Sequence, residues 1–438
     1  MSDDGLLLAG GHIIDPAQAM DRRADLLIRG DRIEAILGPG DPVSSDIERL
    51  DVTGQMVTPG FVDIHAHLRY PGQSHKETVA SGTASAVRGG FTTVCAMANT
   101  TPAVDSGLLV EEVGRRLREE ARCHVRTFGA VTKGLQGAAR TDARELLSAG
   151  SVALSDDGNP VVSADVMTDT LAASCRLGFV VSAHEELRQP GSMGAVDPRW
   201  ECTGEVELIR RDLDLVRKTG GRLHIAHVSC AQSLELIAAA KAEGLAVTAE
   251  ATPHHLTLDE SIWDGLDMSH DLPANHGYAK VNPPVRSSHD RAEVVAALQA
   301  GVIDAIATDH APHSRSEKCG SPAVAAFGFT AFEFALPLLL QLVDTGAMTL
   351  YDVIERLTSG PARALALPAG SLKPGATADV CVFDPVQSWM PERDTVVSKG
   401  KNHPLMLNQM SGRVQATVVA GRVHRFGQDH GLRALRVI

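Results

Sequence analysis

The sequence predicts an α/β protein: a (β/α)8 barrel of the TIM type with a small β-domain built from both chain ends. Three observations predict it. Eight apolar runs alternate with amphipathic helical stretches, short turn-punctuated strands are confined to the two ends, and 438 residues suit one large barrel with a small appendage. The expected division is 1–57 and 366–438 for the two parts of the β-domain, with the barrel at 58–365.

The N-terminal part reads as a small sheet. Segments such as His12-Ile13-Ile14 and Ala24-Asp25-Leu26-Leu27-Ile28 are punctuated by Gly30-Asp31 and Gly38-Pro39-Gly40. Residues 372–425 repeat the style, with strands at Asp379 to Phe383 and Gln415 to Val419 and a turn at Ala420-Gly421. Between them the runs are Phe61–His67, Phe91–Asn99, His124–Val131, Ser151–Asp157, Phe179–His184, Leu223–Val228, Ala246–Ala251 and Val302–Thr308. Runs without strict alternation suit parallel strands covered on both faces, and helices such as Val110–Glu120 and Ala292–Leu298 suit the right-handed crossovers between them.

Hydrophobic residues make up 44% of the chain and charged residues 22%, which is ordinary globular composition. A net charge of −13 argues against nucleic-acid or acidic-membrane partners, because both need a basic surface. An anionic substrate would need local cations. The seven cysteines, Cys95, Cys123, Cys175, Cys202, Cys230, Cys319 and Cys381, are odd in number and contain no C-x-x-C pair, so no disulfide framework is expected. No basic-then-apolar leader opens the chain, and no stretch reaches the roughly 20 apolar residues of a membrane span. A cytoplasmic location is the expectation.

The chemistry concentrates where the runs stop. His65, His67, Asp157, His184, His227 and Asp309 lie at the C-terminal ends of predicted strands, the first two sharing one. A barrel gathers those ends into a single mouth. Four imidazoles and two carboxylates suit Zn²⁺ or another borderline divalent ion, with donors enough for two. One histidine in an apolar run is more often a hydrogen-bonded core residue. His65 and His67, however, point to the same side of their strand by period-two alternation, where unpaired imidazoles would be costly. Independent core histidines would have no reason to recur at strands five and six, with aspartates at strands four and eight. A site without thiolates can leave a position open for water, which the metal acidifies toward a pKa of roughly 7. Hydrolysis is the chemistry implied.

Two segments, Gly60-Phe61-Val62-Asp63-Ile64-His65-Ala66-His67-Leu68-Arg69 and Ala307-Thr308-Asp309-His310-Ala311-Pro312-His313, resemble the signatures of the dihydroorotases of the amidohydrolase superfamily, in particular the bacterial type I enzymes. The resemblance runs essentially end to end. It includes Gly89-Gly90-Phe91-Thr92-Thr93 leading to Asn99-Thr100, then Ser155-Asp156-Asp157-Gly158, Asn282-Pro283-Pro284-Val285-Arg286 and Ala326-Phe327-Gly328 in family order. It implies a centre of one or two Zn²⁺ ions on His65, His67, His184 and His227, with Asp157 as bridge and Asp309 as ligand and catalytic acid/base. Where many relatives bridge with a carboxylated lysine, the strand-four position here offers Asp156-Asp157, and Lys133 is the weaker candidate.

The implied reaction is the reversible interconversion of N-carbamoyl-L-aspartate and dihydroorotate plus water, in pyrimidine (UMP) biosynthesis. The metal would polarise the ring amide carbonyl and supply hydroxide, while Asp309 accepts the proton and delivers it to the leaving nitrogen. Ring closure needs Asp309 protonated, so lower pH should favour it. Arg69, two residues beyond His67, can hold the substrate carboxylate through two parallel hydrogen bonds. The resemblance adds Asn99 and His313 on that carboxylate, and Asn282 with the Phe327-Gly328 backbone on the ring. It also implies a homodimer and leaves room for aspartate transcarbamoylase as a partner.

Other residues read ambiguously. Asp63 could orient a ligand imidazole or be structural. Thr252-Pro253-His254-His255 is set aside, because adjacent histidines point to opposite sides of an extended chain. His310 stays open. Cys319 falls in the polar stretch Ser314 to Pro322, read as a loop over the mouth that gates substrate access, with nothing marking the thiol as a nucleophile. The clearest departure from the family is Glu185-Glu186-Leu187 after His184, with a short segment to Trp200. Two other readings compete. A hydantoinase, dihydropyrimidinase or allantoinase opens neutral rings and has no need of Arg69. An inactive scaffold would have lost ligands that are all present here.

Overall fold

The computed structural model describes residues 5–187, 202–263, 277–319 and 324–426. Eight parallel strands follow one another in chain order: Phe61–Ala66, Phe91–Ala96, His124–Gly129, Ser151–Leu154, Val180–Ala183, Arg222–Ile225, Val247–Ala251 and Ala305–Ile306. A parallel bridge joins Ala66 to His310, and the His67 N–H donates to the His310 carbonyl at 2.8 Å, so the last strand's exit returns to the first. The sheet is thus a nearly closed barrel. Each expected run holds one strand, but several ladders stop early. The fourth ends at Leu154, and the eighth keeps only Ala305–Ile306. Beyond these points Asp157 and Asp309 leave the ladder and line the mouth.

Crossover helices pack outside, and local chemistry sets their ends. Val79–Arg88 starts at Thr78, whose side chain accepts from the Ser81 N–H in a capping box. Ala164–Leu177 starts at Ser163 and stops at Gly178, which has a φ of 79° that glycine adopts without strain. The helix expected at Ala292–Leu298 runs Ser288–Gln299, because its first turn is polar and begins at the Ser287 cap, leaving no apolar period to mark it.

Strands from both chain ends pair in one six-stranded sheet, ordered Arg422–Arg425, Met410–Val419, Val380–Trp389, Met56–Pro59, His12–Asp15 and Met20–Arg23. A four-stranded sheet of Arg32–Leu37, Asp25–Arg29, Gly5–Ala9 and Glu48–Asp51 accompanies it. Val380–Trp389 works on both sides: Val382 packs in the small-domain core with Ile13 and Val57, whereas Cys381 and Phe383 pack into the barrel core. That is strand alternation used to join two cores. Phe61 sits at the seam, its ring centroid 5.5 Å from Phe91 and 6.3 Å from Phe383. Gly90, with φ of 90°, passes so close that a Cβ would stand 2.6 Å from Cys381 Sγ.

One expectation needs correcting. Cys202 and Cys230 form a disulfide, with Cα atoms 6.0 Å apart across a sequence separation of 28. No local spacing marks the pair, since they meet only because the helix Thr203–Thr219 starts beside the end of the sixth barrel strand. The polar stretch from Ser314 is also not a plain loop: Arg315–Lys318 is a helical turn capped by Ser314 and Glu317. Part of that stretch, residues 320–322, and Trp200 lie outside the described residues.

Phe61→Ala should cost about 3–5 kcal/mol, the range for removing a buried aromatic ring. Urea unfolding checks it, and a loss below about 1 kcal/mol would show that the seam repacks without the ring.

Candidate metal centre

The first barrel strand brings His65 and His67, two residues apart, to the same buried mouth. His65 Nδ1 lies 2.6 Å from Glu250 Oε1, while its Nε2 lies 3.2 Å from Asp157 Oδ1. His67 Nδ1 donates to Asn99 Oδ1 at 2.9 Å, and its Nε2 lies 3.0 Å from Asp309 Oδ1 and 3.4 Å from Asp157 Oδ2. Asp157 reaches across from strand four, its Oδ1 3.3 Å from His184 Nδ1 and 3.6 Å from His227 Nε2. All six residues therefore meet in one place. The backbone bends left-handed to aim two of them, with φ of 33° at His227 and 46° at Asp309. Such conformations persist where surrounding structure over-determines them.

The donors fit a divalent cation. One ligand atom each from His65, His67 and Asp309, and likewise from His65, Asp157 and His227, lie within 4.8 Å of one another. His65 Nε2 and Asp157 Oδ1 are buried without a hydrogen-bond partner, an arrangement that costs free energy unless a cation supplies the missing interaction. Burial opposes ionisation of Asp157, yet the neighbouring His65 and the imidazoles of His184 and His227 hold its carboxyl well below the usual carboxylate range. Burial likewise opposes charging His65, yet Asp157 and Glu250 raise its pKa well above the usual imidazole range. The site favours positive charge at its centre, and a metal ion supplies that charge while leaving the imidazoles neutral as ligands.

The mouth opens into a cleft of about 220 Å³. Its walls include Arg69, Asn99, Asn282, His313, Phe327 and Gly328 together with His67, Asp157, His184, His227 and Asp309; His65 is not on the wall, and meets the others through Asp157. Arg69, with φ of 59°, is buried; its Nε donates to the Pro312 carbonyl at 3.2 Å, and Nη2 lies 3.2 Å from His313 Nε2. Burial lowers the Arg69 pKa to about 10, which leaves the guanidinium charged at neutral pH. His313 Nε2 donates to the Phe327 carbonyl at 2.7 Å. Asn282 Nδ2 lies 3.0 Å from His184 Nε2.

The ambiguous residues divide. Asp63 accepts from the His65 and Thr308 backbone N–H groups and from the Thr308 hydroxyl, so it ties strand one to strand eight and leaves the imidazoles alone. Asp156 takes the Thr132 backbone and hydroxyl instead of facing the mouth. Lys133 is exposed, with Nζ on the Asp105 carbonyl. His254 and His255 do not lie on an extended chain as expected, because Pro253–Thr257 is helical. His255 nonetheless bonds Thr252 and Pro283, and His254 packs against Phe329 at 4.8 Å. His310 stacks on Phe332 at 4.1 Å, and its Nδ1 accepts from the Ala331 N–H. Behind His184, Glu186 pairs with Arg286 at 3.1 Å, and burial pushes Glu186 up to about 7.

Sequence reasoning missed Glu250 and Asn159. Asn159 lines the cleft beside Asp157 and Gly158. Glu250, fully enclosed, contacts the His65 ring on one oxygen and lies 3.1 Å from His224 Nε2 on the other. A carboxylate inside the apolar run Ala246–Ala251 was the available signal. Glu250→Gln should lower metal affinity by about 10–100-fold, the usual cost of removing a carboxylate that orients a ligating imidazole. Competition against a chelator measures it, and unchanged affinity would make Glu250 a mere buried counter-charge.

The model of the amidohydrolase family matches residues 56–424. A dihydroorotase of Anaeromyxobacter sp. (strain K) is 42% identical over 436 residues, covering 97% of this chain and 99% of the relative. A dihydroorotase of Trichlorobacter lovleyi is 36% identical over 428 residues, covering 95% and 98%. Among solved structures, the L-hydantoinase (dihydropyrimidinase) of Arthrobacter aurescens superposes with a TM-score of 0.85 over 95% of each chain; at 23% identity it speaks for the fold alone. The family match runs from the last small-domain strand before the barrel into the closing hairpin, and on that span this chain belongs to the amidohydrolase family.

Proposed function

We propose that this chain is a zinc-dependent dihydroorotase of the bacterial type I kind, interconverting N-carbamoyl-L-aspartate and dihydroorotate. The observation that carries the reading is Arg69: a buried guanidinium lines the same cleft as the metal donors, and among the described residues no carboxylate pairs with it. A buried cation is costly unless an anion meets it, and a substrate carboxylate satisfies that need with planar, two-bond geometry. The curated relatives over nearly the full length carry the dihydroorotase name.

His65, His67, His184 and His227, with Asp157 between them and Asp309 beside His67, would hold one or two zinc ions. Bound there, zinc supplies polarisation of the ring carbonyl and acidification of water. Asp309 then takes the proton from the attacking water and passes it to the departing ring nitrogen. Although burial opposes it, the His67 hydrogen bond keeps the Asp309 carboxyl below its usual range, so it starts ring opening as a base. In closure the same carboxyl starts protonated. Arg69, Asn99 and His313 orient the substrate carboxylate, while Asn282 and the Phe327-Gly328 backbone take the ring. Asn99 also fixes His67, so it couples the two halves of the site.

Loss of ultraviolet absorbance on adding dihydroorotate to the zinc-loaded protein tests the reading. Asp309→Asn should reduce turnover by at least about 10²–10⁴-fold, the contribution of a positioned acid/base. Arg69→Ala should lower kcat/KM for dihydroorotate by about 10–100-fold, the worth of hydrogen bonds to a charged group, while leaving dihydrouracil, which has no carboxylate, unaffected. Opening of dihydrouracil alone by the native protein would favour a neutral-ring amidohydrolase instead.

A further inference from the structure

Lys318 is fully buried, a rare state for lysine, which is seldom enclosed unless its amine is satisfied. Its Nζ donates to two backbone carbonyls, Lys280 O at 3.0 Å and Ala326 O at 2.8 Å. Those carbonyls belong to the two segments that form the far wall of the cleft. Asn282 follows Lys280 by two residues, and Phe327 and Gly328 follow Ala326 directly. Lys280 O also accepts from the Gly328 N–H at 2.9 Å, so the amine and the cleft backbone share one acceptor. The Ala326 N–H donates back to the Glu317 carbonyl at 2.9 Å, closing the connection on the helical turn that carries Lys318. Gly277 packs so tightly on that turn that a Cβ would stand 2.2 Å from Lys318 O.

We propose that Lys318 is a positioning residue for ring recognition, clamping the Asn282 segment to the Phe327-Gly328 segment so that both meet the substrate ring in register. The inference rests on the dihydroorotase reading for the identity of the ring, though not for the clamp itself. Neither segment has regular secondary structure at the cleft, so no ladder or helix fixes their separation. Burial pushes the Lys318 amine well below the usual lysine range, and Lys280 adds to that.

The test is Lys318→Met in the full-length, zinc-loaded protein. Hydrogen exchange should speed up by about tenfold or more at residues 277–283 and 324–329, as expected when a local cross-link is lost, while the barrel strands and the zinc content stay unchanged. On dihydroorotate, KM should rise by about tenfold or more with a smaller change in kcat, the mark of lost binding geometry rather than lost chemistry. Unchanged exchange overturns the clamp. Faster exchange with an unchanged KM overturns the positioning role and leaves Lys318 purely structural. If Lys318→Met does not accumulate, Lys318→Gln, shorter and with an amide donor, is read the same way. Should the native protein leave dihydroorotate intact, the substrate reading fails alone: exchange still decides the clamp, and KM is compared on whichever cyclic amide the protein opens.

Discussion

The structure depends on one electrostatic constraint: a carboxylate and four imidazoles, all removed from water, must share a few ångströms at the end of a barrel. Asp157 is the centre of that arrangement, within 3.2–3.6 Å of His65, His67, His184 and His227. Left to themselves, such groups would protonate or draw in water, because buried charge without a partner is among the costliest states a protein can hold. A divalent cation resolves the conflict. The barrel makes the arrangement possible, since its parallel strands end together and can each contribute a donor without any of them crossing the core.

The surrounding residues follow from the same constraint. An imidazole serves a metal only when its ring is turned and its tautomer fixed, and Glu250 on His65 and Asn99 on His67 stand where they would do that. Asp63 plays a different part, holding the Thr308 backbone and hydroxyl next to Asp309, so the Asp309 carboxylate sits on an anchored turn despite its left-handed φ. Asp156, adjacent to Asp157, anchors strand four to Thr132. Acidic residues beside the metal-donor cluster thus brace the backbone, while Asp157 and Asp309 face the mouth.

The cleft's Arg69 follows a second rule. The chain is acidic overall, so an anion reaching the cleft must meet a dedicated cation. Arg69 provides it from the same strand exit as His65 and His67, held by Pro312 beyond strand eight. The donor cluster and Arg69 are therefore related through strands one and eight, whereas the Asn282 and Phe327-Gly328 wall comes from irregular segments. The Lys318 amine sits where those segments meet.

Much of this was legible in the chain. Eight apolar runs fixed the barrel because parallel strands buried on both faces need continuous hydrophobicity, and His65, His67, Asp157, His184, His227 and Asp309 were visible as polar residues ending such runs. What the chain alone left open was set by contacts between distant segments. The pairing of Cys202 with Cys230 needed the helix Thr203–Thr219 to pack back along the strand Arg222–Ile225, placing a helix start beside a strand exit. Glu250 on His65 spans 185 residues, and the choice between Asp63 as imidazole partner and as strand tie turned on where Thr308 came to rest. Periodicity reports which face a residue occupies. Which neighbour waits on that face is decided only when the barrel closes, and for buried polar groups that neighbour determines the role.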